Sequence, residues 1–102
     1  MAGGMIENFG NKVARDIWEK DRSPKFPSQF HERAKALLVI MYNLSDLSEL
    51  KAQGELPALR IHKLKGDRQG DLAVDIDKTS GWRVTFRFAG GKFLDVKIEN
   101  YH

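Results

Sequence analysis

Imidazole, phenol, ammonium and guanidinium groups recur in two short stretches of this chain. His62-Lys63-Leu64-Lys65-Gly66-Asp67-Arg68 carries one set, and Glu99-Asn100-Tyr101-His102 carries the other, with Arg83 between them. Such a set can break an RNA phosphodiester without a metal or other cofactor. The ribose 2′-hydroxyl attacks the adjacent phosphorus. That step needs a base for the hydroxyl, cations for the crowded phosphorane and an acid for the 5′-oxygen. An imidazole with an ordinary pKa of about 6.5 suits either proton role. His102 is therefore assigned as general acid or base, with His62 as its counterpart. Lys65 and Arg83 can stabilise the added charge, and an arginine can grip two oxygens at once. Tyr101 can stack on a base or donate to phosphate. Asn100 can position its neighbours through hydrogen bonds. Arg60, Lys63, Arg68 and Arg87 are assigned to RNA binding.

These groups can meet only if the chain between them folds as one sheet. After Pro57 the hydrophobic period changes from helical spacing to alternation. Leu59 and Ile61 alternate with Arg60 and His62. Leu72, Val74 and Ile76 alternate with Ala73 and Asp75. Trp82, Val84, Phe86 and Phe88 alternate with Arg83, Thr85 and Arg87. Leu94, Val96 and Ile98 alternate with Asp95, Lys97 and Glu99. Half-buried strands with one polar face follow from this pattern. Gly66 to Gly70 is turn chemistry, and Gly90-Gly91 reads as a two-residue hairpin. The polar face then carries Arg60, His62, Arg83 and Arg87, a lining expected to attract polyanions.

The other face needs a cover, and the first half of the chain supplies it. Asn11 can cap a helix to about Asp21, with Phe9, Val13, Ile17 and Trp18 on one side. Ser23-Pro24 and Pro27 interrupt it. Ser28 can cap a second helix with Phe30, Ala34, Leu37, Met41 and Leu44 as its core stripe. Asp46 is expected to start a short further turn. Met5 to Phe9 can add an edge strand. The expected fold is α+β: two N-terminal helices packed on one face of a small, mainly antiparallel sheet of four to five strands.

Composition narrows the class. The chain has 102 residues, enough for one domain with a core of its own. The domain is expected over residues 5–102, with residues 1–4 a leftover or flexible extension. There is no cysteine, which excludes disulfides, thiolate nucleophiles and zinc-finger patterns and fits a reducing cytoplasm. No apolar run is long enough to span a membrane, and no membrane partner is expected. The net charge of +3 is a weak basic bias. Three scattered histidines suggest no metal site, and Asp75 with Asp77 lacks a third ligand.

Three stretches in order resemble the HigB-like toxins, the plasmid-maintenance killer proteins of the RelE/ParE superfamily. They are Leu64-Lys65-Gly66-Asp67-Arg68 followed by Gly70, then Trp82-Arg83-Val84-Thr85-Phe86, then Asn100-Tyr101-His102. The resemblance implies a RelE/ParE-like fold and a ribosome-dependent endoribonuclease that cuts message in the A site and arrests translation. It implies a cognate helix-turn-helix antitoxin, HigA-like, and contact with operator DNA only through the antitoxin complex. His62, Lys65, Arg83, Tyr101 and His102 match family site positions. Asn100 departs from the family, which usually has aspartate there. An amide cannot raise a neighbouring imidazole's pKa by charge attraction.

Other readings of the same residues stay open. Arg83 can instead pair with Asp95 or Glu99 on the next strand. His62 can be a solvated surface residue. A ParE-like inhibitor of DNA gyrase, a catalytically weakened toxin that mainly binds its antitoxin, and an RNA-binding module all fit the expected fold.

Overall fold

In the computed structural model, residues 6–43, 61–64, 66 and 70–100 are described, with the backbone alone at Ile61 and His62. Helix α1, Lys12–Lys20, starts where Asn11 holds an extended backbone and its side chain accepts the Ala14 N–H at 3.1 Å. It stops at Asp21, whose left-handed backbone (φ 63°) an aspartate tolerates better than most residues. Ala14 and Ile17 are buried, with Val13 and Trp18 packed against the core beside them. The second helix does not begin on a Ser28 cap. A 3-10 turn, Ser28–Phe30, leads into α2, His31–Asn43. Pro27 precedes that turn and no side chain caps it. Ala34, Leu37, Leu38 and Met41 face the core. Lys35 joins the helices, donating to the Trp18 carbonyl at 2.8 Å and to Asp21 at 2.7 Å. Leu44, the turn expected at Asp46, and Leu59 lie outside the described residues.

Three long strands form an antiparallel meander: β2 (Leu72–Asp77), β3 (Trp82–Ala89) and β4 (Lys92–Asn100). A short strand of three residues, β1 (Ile61–Lys63), pairs on the outer side of β2. The sheet order is β1-β2-β3-β4. Gly90 and Gly91 both have positive φ, as a tight two-residue hairpin between Ala89 and Lys92 requires. The core lies between the helices and Val74, Ile76, Val84, Phe86, Phe93, Val96 and Ile98. Phe26, between two prolines and outside any periodic stripe, is also buried and meets Trp82 edge-on at 4.8 Å. No helix among the described residues is long and apolar enough to cross a membrane.

Two features depart from simple alternation. On β4, Asp95 takes a positive φ of 50°, and the register slips between the pairs Thr85–Lys97 and Arg87–Leu94. Asp95 and Val96 together oppose Phe86, which is a bulge. The extra residue exchanges the faces on its N-terminal side. Phe93 is therefore the fully buried residue, and the expected Leu94 pairs with Arg87 on the other face. On β2, Ala73 and Asp75 are buried as well as Val74 and Ile76, so this central strand has no open polar face. A second register shift, between Asp75 and Asp77, sets Ile76 apart, and Arg33 of α2 donates to its carbonyl at 3.0 Å.

The outer edge of β4 is closed by the chain's own N-terminal segment. Ile6 and Phe9 form parallel bridges to Phe93 and Val96. The Asn8 amide brackets the bulge, donating to the Asp95 carboxylate at 2.8 Å and accepting the Asp95 N–H at 3.2 Å. Asn11 finishes the ladder with its side chain. It donates to the Ile98 carbonyl at 3.0 Å and accepts the Ile98 N–H at 3.3 Å while it caps α1. Gly10 is required at this seam, because a Cβ there would sit 2.8 Å from Lys97 Cε and 3.1 Å from the Asp95 carbonyl.

Two outcomes follow. Asn11→Ala removes a helix cap and two strand-edge bonds and should cost about 1–3 kcal/mol in denaturant unfolding, with Asn11→Asp in between because it keeps only the acceptor. Asp16 supplies the second. Lys12 donates to it at 2.8 Å and holds its carboxyl below the usual 3.8, against the opposing effect of burial, with Lys20 and Arg15 adding to the lowering. A depressed folded pKa contributes stability above the unfolded value and loses it as pH falls through the folded one. Melting temperature should therefore drop more steeply below about pH 3.8 in the wild type than in Asp16→Asn.

Candidate functional site

The face of the sheet opposite the helices can be read row by row from the register. In one row His62 pairs with Ala73, Ala73 with Thr85, and Thr85 with Lys97. In the next, Asp75 pairs with Arg83 and Arg83 with Glu99. At the other end Arg87 is opposite Leu94 and bonds across to Asp71 at 3.3 Å through Nε. His62, Arg83 and Arg87 thus share one face by register. Arg60, Lys65, Arg68, Tyr101 and His102 lie outside the described residues.

This face is not the cationic lining expected from the arginines alone. Arg83 Nε is 3.5 Å from the carboxylate of Asp75, which is only 5 % exposed. Arg87 is matched by Asp71. Lys97 faces Glu99 two residues along its own strand. Among the described residues, Arg83, Arg87 and Lys97 are set against Asp71, Asp75 and Glu99, so the charges balance. The physical reason is parity. The acidic residues of β2 and β4 share the face of the β3 arginines, and a reading that counts only cations overlooks them. The partner anticipated for Arg83 was Asp95 or Glu99. Asp75, one strand the other way, makes the ion pair, while Glu99 is its cross-strand neighbour.

Thr85 lies at the centre of this cluster, 1 % exposed. Its hydroxyl donates to Glu99 Oε2. Glu99 is half-buried. A carboxylate, a hydroxyl and a guanidinium are thus held on adjacent strands. Thr85 and Glu99 were absent from the predicted site. Their alternation with Arg83 and the register of a meander were the available signal.

Asn100 occupies a different position. It pairs with Trp82, one residue out of phase with Arg83, and its amide donates to the Ser80 carbonyl in the β2–β3 turn at 3.1 Å. That turn is fastened in its own right. The Ser80 and Gly81 N–H groups donate to the Asp77 carboxylate and carbonyl at 2.9 and 3.1 Å. The Asn100 side chain therefore ties the end of β4 to a turn.

Lys63 is also displaced from its expected company. It pairs with Leu72, which is opposite Phe86, so it lies on the helix-side face and not with Arg87. There it borders a groove of about 650 Å³ with Leu64, Leu72 and Phe88. Unbalanced positive charge gathers instead at α1, where Lys12, Lys20 and Arg22 surround Asp16 in a cleft of about 510 Å³.

No family model matches the chain, and no curated protein matches it.

The amide at position 100 donates where an aspartate can only accept. Asn100→Asp should lower stability by on the order of 1 kcal/mol at neutral pH, measured by thermal melting, because a carboxylate would face the Ser80 carbonyl. An unchanged melting temperature would mean that the bond contributes nothing.

Proposed function

We propose that the chain is a ribosome-dependent endoribonuclease, a HigB-like toxin that cuts message without a metal and arrests translation in the cytoplasm. The observation that carries this reading is the register. His62 and Arg83 sit on adjacent rows of one sheet face, and β4 ends at Asn100 beside Trp82, at the Arg83 end of β3. Tyr101 and His102 follow directly in sequence. The order of two helices and then an antiparallel meander supports the finer assignment to a RelE/ParE-like fold. Lys65-Gly66-Asp67-Arg68 and Trp82-Arg83 support it from the sequence.

In this mechanism the message lies over the polar face of the sheet. Arg83 uses the edge of its guanidinium not held by Asp75 to grip a non-bridging phosphate oxygen, and Lys65 adds charge. His102 and His62 move the protons, and Tyr101 stacks on the base at the cut. A helix-turn-helix antitoxin neutralises the toxin, and the pair reaches operator DNA through the antitoxin. The asparagine at 100 positions the strand end and carries no charge.

One observation favours a second reading. Both β3 arginines are paired with aspartates. A face with balanced charge also suits a non-nucleolytic binder, such as a ParE-like gyrase inhibitor.

Cell-free translation with primer extension on the message separates the two. The wild type should cut at discrete codons only when ribosomes are translating. Lys65→Ala, and Arg83→Lys chosen to keep a cation beside Asp75, should each lower single-turnover cleavage more than about tenfold, since one stabiliser of developing charge is commonly worth about 3 kcal/mol. Removal of Tyr101 and His102 should abolish cutting. Intact message together with a block of gyrase supercoiling would establish the second reading.

A further inference from the structure

We infer that Glu99 is a catalytic residue of this face, the carboxylate that takes the proton from the attacking hydroxyl. The inference rests on the endoribonuclease reading and assigns it a residue that neither the sequence motifs nor the resemblance named.

The argument begins with where a carboxylate can be. Position 100 holds an amide, it lies in register with Trp82, and its side chain is bound to the Ser80 carbonyl. A carboxyl group placed there would meet a turn. Position 99 differs on each count. It is an acid, it is directly opposite Arg83, and it shares the face of His62 by register. The strand pleat alone creates the difference, because neighbouring residues alternate between faces.

The setting of Glu99 suits a base. Thr85 donates to Oε2. That bond leaves Oε1 to receive a proton and fixes the carboxylate in one orientation. The charged groups around it are Arg83 from β3, Asp75 beyond it on β2 and Lys97 on its own strand. Lys12 follows the Asn11 that bonds to Ile98. An arginine and a hydroxyl donor both favour the ionised carboxylate, the form that accepts a proton at neutral pH. The same arginine places a phosphate oxygen beside the base, so the nucleophile and its base converge on one guanidinium.

The step balances. Glu99 takes the proton of the 2′-hydroxyl as the 2′-oxygen bonds to phosphorus. The bond from phosphorus to the 5′-oxygen breaks, and that oxygen receives a proton from a histidinium, His102 or His62. The products are a 2′,3′-cyclic phosphate and a 5′-hydroxyl. This division leaves both histidines free for the acid role and for binding.

Two variants test the assignment by single-turnover cleavage on programmed ribosomes across a range of pH. Glu99→Gln should fold, as judged by its melting curve, and should lose at least about 100-fold in rate. Thr85→Val keeps the shape and deletes the donor. It should move the acid limb of the pH–rate profile to higher pH, because a carboxylate deprived of a donor takes up its proton more readily. A purely structural Glu99 would leave that limb in place. If the wild type cuts message and Glu99→Gln cuts within threefold of it, the inference falls and the endoribonuclease reading stands. An acid limb unmoved in Thr85→Val overturns the inference as well, and decides the matter if Glu99→Gln does not fold. A wild type that leaves message intact overturns both.

Discussion

The structure depends on how β4 satisfies its outer edge. A strand at the end of a sheet presents a row of unpaired N–H and C=O groups that invite another chain. Here residues 6–11 fill that row in parallel, and two asparagine side chains complete it where the backbone cannot. Asn8 spans the bulge at Asp95, and Asn11 turns the chain from the strand edge into helix α1. The bulge in turn decides which side chains of β4 enter the core. With Asp95 inserted, Phe93 and Val96 both reach the helices, and Lys97 and Glu99 reach the opposite face. The packing of the core and the chemistry of the polar face therefore follow from the same extra residue.

The helices were legible because their signals are local. A capping asparagine and an apolar stripe at helical spacing identify α1, and two prolines mark the break before α2. The strands were legible as segments, because alternation is also local. Leu94 shows where this stops. Its alternation with Asp95 is perfect in sequence, yet a bulge depends on the partner strand and on Asn8, distant in the chain. Phe26 shows the same limit from the other direction, since its burial comes from Trp82 and no period announces it.

The site was partly legible. His62 and Arg83 were assigned to one face and share it by register. The balance of charge was missed, because it depends on which residues oppose one another across strands. Asp71 and Asp75 look like ordinary loop and strand polarity until the register aligns them with Arg87 and Arg83. Asn100 looked like a chemical departure at a catalytic position. The hydrogen bond to Ser80 gives it mechanical work, for which an amide is the better choice.

The seam between residues 6–11 and β4 joins parts of the chain separated by 87 positions. During synthesis these residues emerge first and wait for their partner until nearly everything else has been made. Until then the asparagines at 8 and 11 have no strand to bond, and α1 lacks the surface it packs on. Closing so large a loop late is entropically costly and tends to slow folding. The meander can form hairpin by hairpin from local turns, but the molecule becomes whole only when its oldest segment zips onto its youngest strand. A nascent chain of this design spends its time on the ribosome without the completed face on which its proposed chemistry relies.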